Sequence, residues 1–149
     1  MRLALTVFVS ALAVGCAGTP PTGLAASLPG TTWTVERVVG ADGSVLRSEN
    51  AEVTFGADGD LRLSSCNQCG GSYRIEDDVL QIEEALACTR RACLPGQLEL
   101  ERYVTGPLAL QRDGAYLVME PTGEAAGAQV LLVPSGAARQ APASGQSGG

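Results

Sequence analysis

Short alternating apolar segments separated by turn residues constrain the fold of this chain more than any other feature. Asp-Gly pairs at residues 42–43, 58–59 and 113–114 are typical of tight turns, because glycine tolerates positive φ. Residues 76–78 form a further predicted turn. Strands are predicted at residues 31–39, 51–55, 61–65, 73–75, 79–82, 108–110, 116–120 and 130–133. This rhythm of turns indicates a β-barrel or a β-sandwich.

One segment, residues 94–105, departs from the hairpin pattern. Leu94 and Leu98 fall near one face of a helix, Pro95-Gly96 precedes its first turn, and Gly106-Pro107 ends it. We predict one short helix here, with a strand over residues 98–104 as the competing interpretation. The predicted fold class is therefore mainly β (α+β), a small antiparallel β-barrel-like meander with one short helix, stabilised by disulfides.

The composition excludes several classes of chemistry. The 149 residues contain no histidine, and all ten cationic residues are arginine. Imidazole-dependent hydrolase triads, Schiff-base lysines and the P-loop lysine are therefore excluded. The net charge of −6 argues against a nucleic-acid partner, because phosphate binding requires a basic face.

The N-terminus predicts export and a lipid anchor. Arg2 precedes an apolar run over residues 3–14, which is too short to span a bilayer and fits a signal peptide. Residues 13–16, Ala-Val-Gly-Cys, resemble a lipoprotein lipobox, so Cys16 is the predicted lipidation site. The alternative is an ordinary signal peptide cut near Ala17. Because Ala17 is not the Asp that retains lipoproteins at the inner membrane, we expect an anchor in the outer membrane, facing the periplasm.

Composition also divides the chain into segments. Residues 1–15 are the predicted signal peptide, and the Ala-, Gly-, Thr- and Pro-rich residues 16–27 are a predicted flexible tether. Residues 28–134 are the predicted folded domain. The Gly-, Ala- and Ser-rich residues 135–149 are a predicted disordered tail.

Four further cysteines, Cys66, Cys69, Cys88 and Cys93, admit three interpretations. Four thiolates could bind zinc, and C-x-x-C is also a redox spacing. An exported compartment oxidises thiols, however, so we predict two structural disulfides, with no metal and no cofactor. If Ile75 lies near Val79, the nested pairs 69–88 and 66–93 keep the most uniform register. Crossed pairs remain possible, whereas local pairs would stabilise little.

Several of these residues together resemble a known family. Residues 28–33, with Trp33, resemble the opening of the META domain of HslJ-like heat-shock lipoproteins. Cys66-Asn67 with Gly71 and Tyr73 resembles that family's C-N-x-x-x-G-x-Y hairpin, and Thr89 to Cys93 its T-x-x-x-C segment. The resemblance implies a small barrel-like domain of the bacterial envelope, with Cys66 near Cys93 and without established catalytic residues.

The individual side chains of these segments have structural interpretations. Asn67 is expected to bond its own backbone and to tolerate left-handed conformations, and Gly71 to permit a close backbone approach or a bulge. Trp33 and Tyr73 are predicted core or rim aromatics.

The predicted function is that of a non-enzymatic, membrane-anchored envelope lipoprotein acting as a binding or stress-response module. Its partner would be the membrane, through the lipid, and an envelope protein or small ligand. One alternative is a carrier of a small apolar ligand inside a barrel. Another is a hydrolase or isomerase that uses carboxylates such as Glu83 or Asp78, which would have to converge in a cleft.

Overall fold

A computed structural model of the chain describes residues 23–48, 50–123 and 126–136. The predicted signal peptide, the lipidation site Cys16, most of the predicted tether, and residues 137–149 of the predicted tail lie outside the described residues. None of the helices in the described ranges is both long and apolar enough to cross a bilayer.

Ten antiparallel strands account for nearly half of the described residues. Their bounds are β1 Thr31–Val39, β2 Val45–Leu46, β3 Glu52–Phe55, β4 Asp60–Ser64, β5 Gln68–Glu76, β6 Val79–Ile82, β7 Ala87–Cys88, β8 Leu108–Asp113, β9 Tyr116–Pro121 and β10 Gln129–Pro134. The helical elements are one α-helical turn, α1 (Leu24–Ser27), and one 3₁₀ turn (Leu100–Arg102). Each long predicted strand is present within a few residues of its predicted bounds, whereas the two-residue strands β2 and β7 were not predicted.

Eight of the strands close into a barrel. Neighbours in the order β1-β3-β4-β5-β6-β8-β9-β10 are hydrogen-bonded, and β10 pairs with β1 to complete the circle. Strand β2 extends the sheet beside β1, and β7 extends it beside β5. The predicted fold class, a disulfide-stabilised antiparallel barrel, is confirmed.

The core lies inside the barrel and follows the two-residue period of the strands. Alternate residues face inward on most of the long strands, whereas β10 buries three consecutive residues. The buried strand residues include Trp33, Val35, Val53, Phe55, Leu61, Leu63, Leu80, Leu108, Leu110, Leu117, Met119, Val130 and Leu132. These side chains form one contiguous hydrophobic core cluster.

The predicted helix over residues 94–105 is wrong, and so is the competing strand. Only the 3₁₀ turn forms, and Leu94, predicted to lie on the packed face, is 68% exposed. Tertiary contacts hold the segment instead. The backbone carbonyl of Leu98 accepts a hydrogen bond from the backbone N–H of Cys66 at 3.3 Å, and the side chains of Leu98 and Leu100 are both buried. Burial at a spacing of two residues is incompatible with one α-helical face, so tertiary contacts override local propensity.

A short helical turn, α1, lies just before residue 28, the predicted start of the folded domain. Leu24 and Leu28 are four residues apart, lie on one face of α1 and are both buried. Gly23 lies beside Asp78, because a Cβ placed on Gly23 would be 3.5 Å from Asp78 Oδ1. The chain therefore enters the barrel at the end that carries the β5–β6 turn, here called the hairpin end.

Ser135 follows the predicted end of the domain and is hydrogen-bonded to β1. Its backbone N–H donates to the carbonyl of Thr32 at 3.1 Å.

Candidate functional site

Two disulfides lie at the barrel end opposite the hairpin end, here called the disulfide end. Cys66 is bonded to Cys93 and Cys69 to Cys88, with Cα separations of 5.7 and 4.0 Å. Cys69 and Cys88 are direct partners in the β5–β7 ladder. The four sulfurs are therefore consumed by bridges and offer no thiolate to a metal or a redox partner.

The hairpin between β5 and β6 is one residue tighter than predicted. Glu76, and not Ile75, lies opposite Val79. The two turn residues Asp77 and Asp78 have φ of 50° and 58°. Two consecutive left-handed residues are what a two-residue hairpin with the native twist requires.

Asn67 joins three segments at the disulfide end. Its side chain is nearly buried, at 6% exposure. Its Oδ1 accepts from the backbone N–H of Arg91 at 2.9 Å, and its Nδ2 donates to Glu101 Oε1 at 2.7 Å. These bonds link the residue before β5 to the 89–93 loop and to the 3₁₀ turn, in place of the predicted bond of the amide to its own backbone.

Thr89 and Gly71 support the same region. The Thr89 hydroxyl accepts from the backbone N–H of Gln68 at 3.0 Å, and the Thr89 N–H donates to the Gln68 carbonyl at 2.9 Å. A Cβ on Gly71 would approach Leu86 Cδ2 to 2.8 Å. Gly71 therefore provides the close approach that lets the Leu86 side chain pack on β5.

Trp33 and Tyr73 lie towards the hairpin end. Trp33 Nε1 donates to Thr31 Oγ1 at 2.9 Å, and the Arg112 guanidinium lies 4.8 Å from the Trp33 ring centroid. The Tyr73 hydroxyl donates to the Gly56 carbonyl at 3.1 Å. Burial, with a smaller contribution from the charge of Asp60, raises the pKa of Tyr73 above its ordinary value. Both aromatic residues therefore serve the packed core and its immediate surroundings.

A cavity of about 520 Å³ opens at the disulfide end, between residues 82–88 and residues 101–106. We call it the rim cavity. It exists because the β6–β8 ladder contains only two residue pairs, the last joining Leu80 to Leu108. Pro107 has no N–H to extend this ladder, and Gly106, with φ of +66°, turns the chain away. The two segments consequently diverge and leave a space within the range of small-ligand sites.

The rim cavity combines apolar walls with carboxylates. It is lined by Ile82, Glu83, Glu84, Ala85, Leu86, Cys88, Glu101, Val104, Thr105 and Gly106. Glu83 is exposed and forms an ion pair with Arg74 at 3.3 Å. Glu101 Oε2 is buried and has no hydrogen-bond partner within the described ranges.

The carboxylates of the predicted enzyme alternative do not converge. Asp78 precedes β6 in the hairpin turn, whereas Glu83 follows β6 at the rim cavity. A whole strand therefore separates the two side chains. Within the described ranges there is also no cluster of three or more acidic or sulfur side chains arranged to hold a metal ion.

Sequence reasoning missed the residues that shape the rim cavity. The sequence does not distinguish Leu86 and Val104 from the leucines and valines of the core, because all of them are apolar residues typical of a buried position. Glu101 lies in a charged run and gives no sign that one of its oxygens is buried. Gly106-Pro107 is the one visible signal: its residues are typical of a helix stop, and in the structure they end the β6–β8 ladder.

Comparisons with known proteins agree with this architecture. A family model, the META domain, matches residues 26–132. The NMR structure of a protein from Burkholderia xenovorans is 19% identical, covers 86% of this chain and 99% of its own, and superposes with a TM-score of 0.57. A second protein solved by NMR is 18% identical over 75% of this chain and 95% of its own, with a TM-score of 0.59.

A crystal structure of a lipocalin-like protein from Bacteroides uniformis is 14% identical, covers 71% of this chain and 96% of its own, and has a TM-score of 0.45. The comparison with curated proteins found no match. At such identities, the two NMR structures support the fold alone.

Proposed function

Since the chain belongs to the META domain family, we propose that it is a non-enzymatic binding module of the bacterial envelope. A lipid on Cys16 would hold it at the outer membrane, facing the periplasm, and a stress-response role would follow from ligand or partner binding there. The observation that carries the proposal is the rim cavity at the disulfide end.

The position of this cavity suits a tethered binding module. The chain enters at the hairpin end, where Gly23 lies beside Asp78, whereas the rim cavity is at the disulfide end. Seven residue steps from Cys16 to Gly23 span at most about 25 Å when fully extended. An anchor at Cys16 would therefore keep the hairpin end near the bilayer and leave the cavity facing away from it.

The position of the rim cavity separates this proposal from a carrier that holds its ligand inside the barrel. Phe55, Leu61 and Leu117 belong to the core cluster of the barrel, and none of them lines the rim cavity. Ligand binding is therefore proposed at the rim and not inside the barrel.

Binding to the rim cavity can be tested with a neutral apolar fluorophore. The full chain, with both disulfides formed, is titrated with N-phenyl-1-naphthylamine, whose emission increases in apolar surroundings. We expect saturable binding of one molecule per chain. Ala85→Trp, which places an indole at the cavity, should abolish the binding, and Thr105→Trp provides a second blocking variant.

The matched control is Ala115→Trp, the same substitution at an exposed alanine in the β8–β9 turn of the hairpin end. This variant should bind the fluorophore like the unmodified chain. Absence of saturable binding, or equal binding by folded Ala85→Trp and Thr105→Trp, would overturn the proposed site.

A further inference from the structure

The negative charge of the rim cavity indicates the charge of the ligand that it would bind. We infer that the cavity binds a small amphipathic amine, with a cationic ammonium or guanidinium head and an apolar body. This inference rests on the proposed function and specifies its ligand class.

The lining of the cavity carries a net negative charge. Three of its residues are glutamates, and none is an arginine. Arg74, outside the lining, forms an ion pair with Glu83. Glu84 and Glu101 have no ion pair to another residue of the described ranges. A cationic head would therefore be attracted to the cavity, and an anionic head repelled.

Glu101 supplies a fixed part of this charge. Asn67 donates to its Oε1 at 2.7 Å, which fixes the direction of the carboxylate. The residue lines the cavity, so a cationic head bound there would lie near its negative charge and be attracted to it.

The remaining lining determines the other half of the ligand. Ile82, Leu86 and Val104 present aliphatic surface, and the Cys69–Cys88 bridge adds sulfur through Cys88. These walls are apolar and can bury an alkyl or aryl body. A fully polar cation would leave them uncovered, so the ligand class combines a charged head with an apolar body.

Three probes with one apolar body and different heads test this inference. The ¹⁵N-labelled full chain is titrated at pH 7 with 4-phenylbutylammonium, 4-phenylbutanol and 4-phenylbutyrate. We expect the ammonium compound to shift the amide resonances of residues 82–88 and 101–106 saturably, with a dissociation constant at least tenfold below that of the alcohol. The carboxylate should cause no saturable shift.

A variant of the acceptor tests the role of Glu101. Glu101→Gln keeps an oxygen that can accept from Asn67 and removes the negative charge. It should bring the ammonium and alcohol affinities within about twofold of each other. The matched control is Glu99→Gln in the same segment, whose carboxylate pairs with Arg102 at 2.9 Å and does not line the cavity. It should retain the preference.

If Glu101→Gln fails to give a native amide spectrum, Glu84→Gln, at an exposed position of the cavity, replaces it and should reduce the preference at least threefold. Equal affinity for the ammonium and alcohol probes, or tighter binding of the carboxylate, overturns the inference while the fluorophore result still supports the cavity as a binding site. Absence of binding by all three probes overturns the inference, and the fluorophore titration then decides the proposed function separately.

Discussion

At the residue scale, Asn67 shows how one side chain organises the disulfide end. Its Oδ1 accepts a hydrogen bond from the backbone N–H of Arg91. Its Nδ2 donates to Glu101 Oε1 and lies 3.8 Å from Cys93 Sγ. A primary amide suits this place because it has both donors and acceptors. The position of the Glu101 carboxylate at the rim cavity therefore depends on Asn67.

Replacing Asn67 should destabilise the protein. Asn67→Ala removes the bond to a carboxylate and leaves the Arg91 N–H without this partner, so we expect a loss of about 2–3 kcal/mol in the free energy of unfolding. Urea denaturation at pH 7 measures the loss. Asn50→Ala, at an exposed asparagine, is the matched control and should change stability by less than about 0.5 kcal/mol. Equal effects of the two variants would contradict the role of Asn67.

Tyr73 predicts an alkaline dependence of stability. Burial raises its pKa above the ordinary value of 10.0 in the folded state. As pH rises, the unfolded chain therefore loses the Tyr73 proton at a lower pH than the folded chain. The free energy of unfolding is unaffected by this proton below pH 10, and it decreases as pH rises from 10 through the folded-state pKa.

Comparison with Tyr73→Phe isolates this effect. At pH 7 we expect the variant to be less stable by about 1 kcal/mol, because it loses the hydrogen bond to Gly56. Denaturation between pH 8 and pH 11 should show this difference shrinking above pH 10. A constant difference across that range would refute the prediction.

At the element scale, the disulfides stabilise segments that have few backbone hydrogen bonds to the sheet. The β5–β7 ladder has two residue pairs, and one of them is Cys69 with Cys88. The 89–99 segment has little regular structure, and Cys93 fixes it to Cys66. Covalent bonds thus hold segments that short ladders and a single 3₁₀ turn hold weakly.

The nested arrangement predicts non-additive effects on stability. When the 69–88 bridge is removed, the 66–93 bridge still closes the larger loop that contains residues 69–88. When the 66–93 bridge is removed, the 69–88 bridge still closes most of the larger loop. With loops of 19 and 27 residues, we expect each double replacement by alanine to cost about 2 kcal/mol and replacement of all four cysteines about 6 kcal/mol, which is more than the sum of the two double replacements.

Denaturant titration of the two double variants and the quadruple variant tests this prediction. A quadruple variant whose loss of stability equals the sum of the two double-variant losses would contradict the predicted non-additivity. Mass analysis of intact peptides under non-reducing conditions verifies which bridge each variant retains.

At the scale of the whole molecule, the barrel separates chain entry from the cavity. Helix α1 packs against β5 at the hairpin end, and the rim cavity opens at the other end. A short tether at one end and a binding surface at the other would suit a module that is held at a membrane.

Anchoring by Cys16 can be measured in cells that produce the full chain. Labelling with radioactive palmitate should mark the unmodified chain and not Cys16→Ala, because the thiol of Cys16 is the predicted attachment point. Several acyl chains bind a bilayer firmly, so the labelled chain should sediment with membranes. Equal labelling of the chain and of Cys16→Ala would end the lipoprotein hypothesis.

Much of the barrel follows from the sequence because strands and tight turns are local. The alternation over residues 31–39 and the Asp-Gly turns at 58–59 and 113–114 depend on neighbours only a few positions away. The nested cysteine pairs could be preferred by spacing, because antiparallel partners have a nearly constant sum of residue numbers. The META domain resemblance, carried by Trp33, Asn67, Gly71 and Thr89, is confirmed by the family match.

The candidate site could not be predicted in the same way, because its residues become neighbours only when the barrel closes. Leu98 and Leu100 have helical propensity, yet each is drawn into the core by a different contact, so the predicted helix fails. Whether Glu101 is exposed or buried depends on Asn67, 34 positions earlier in the chain. Local sequence thus determined strands, turns and cysteine framework, whereas tertiary structure alone decided the rim cavity, since a two-pair ladder between β6 and β8 leaves space that local patterns do not record.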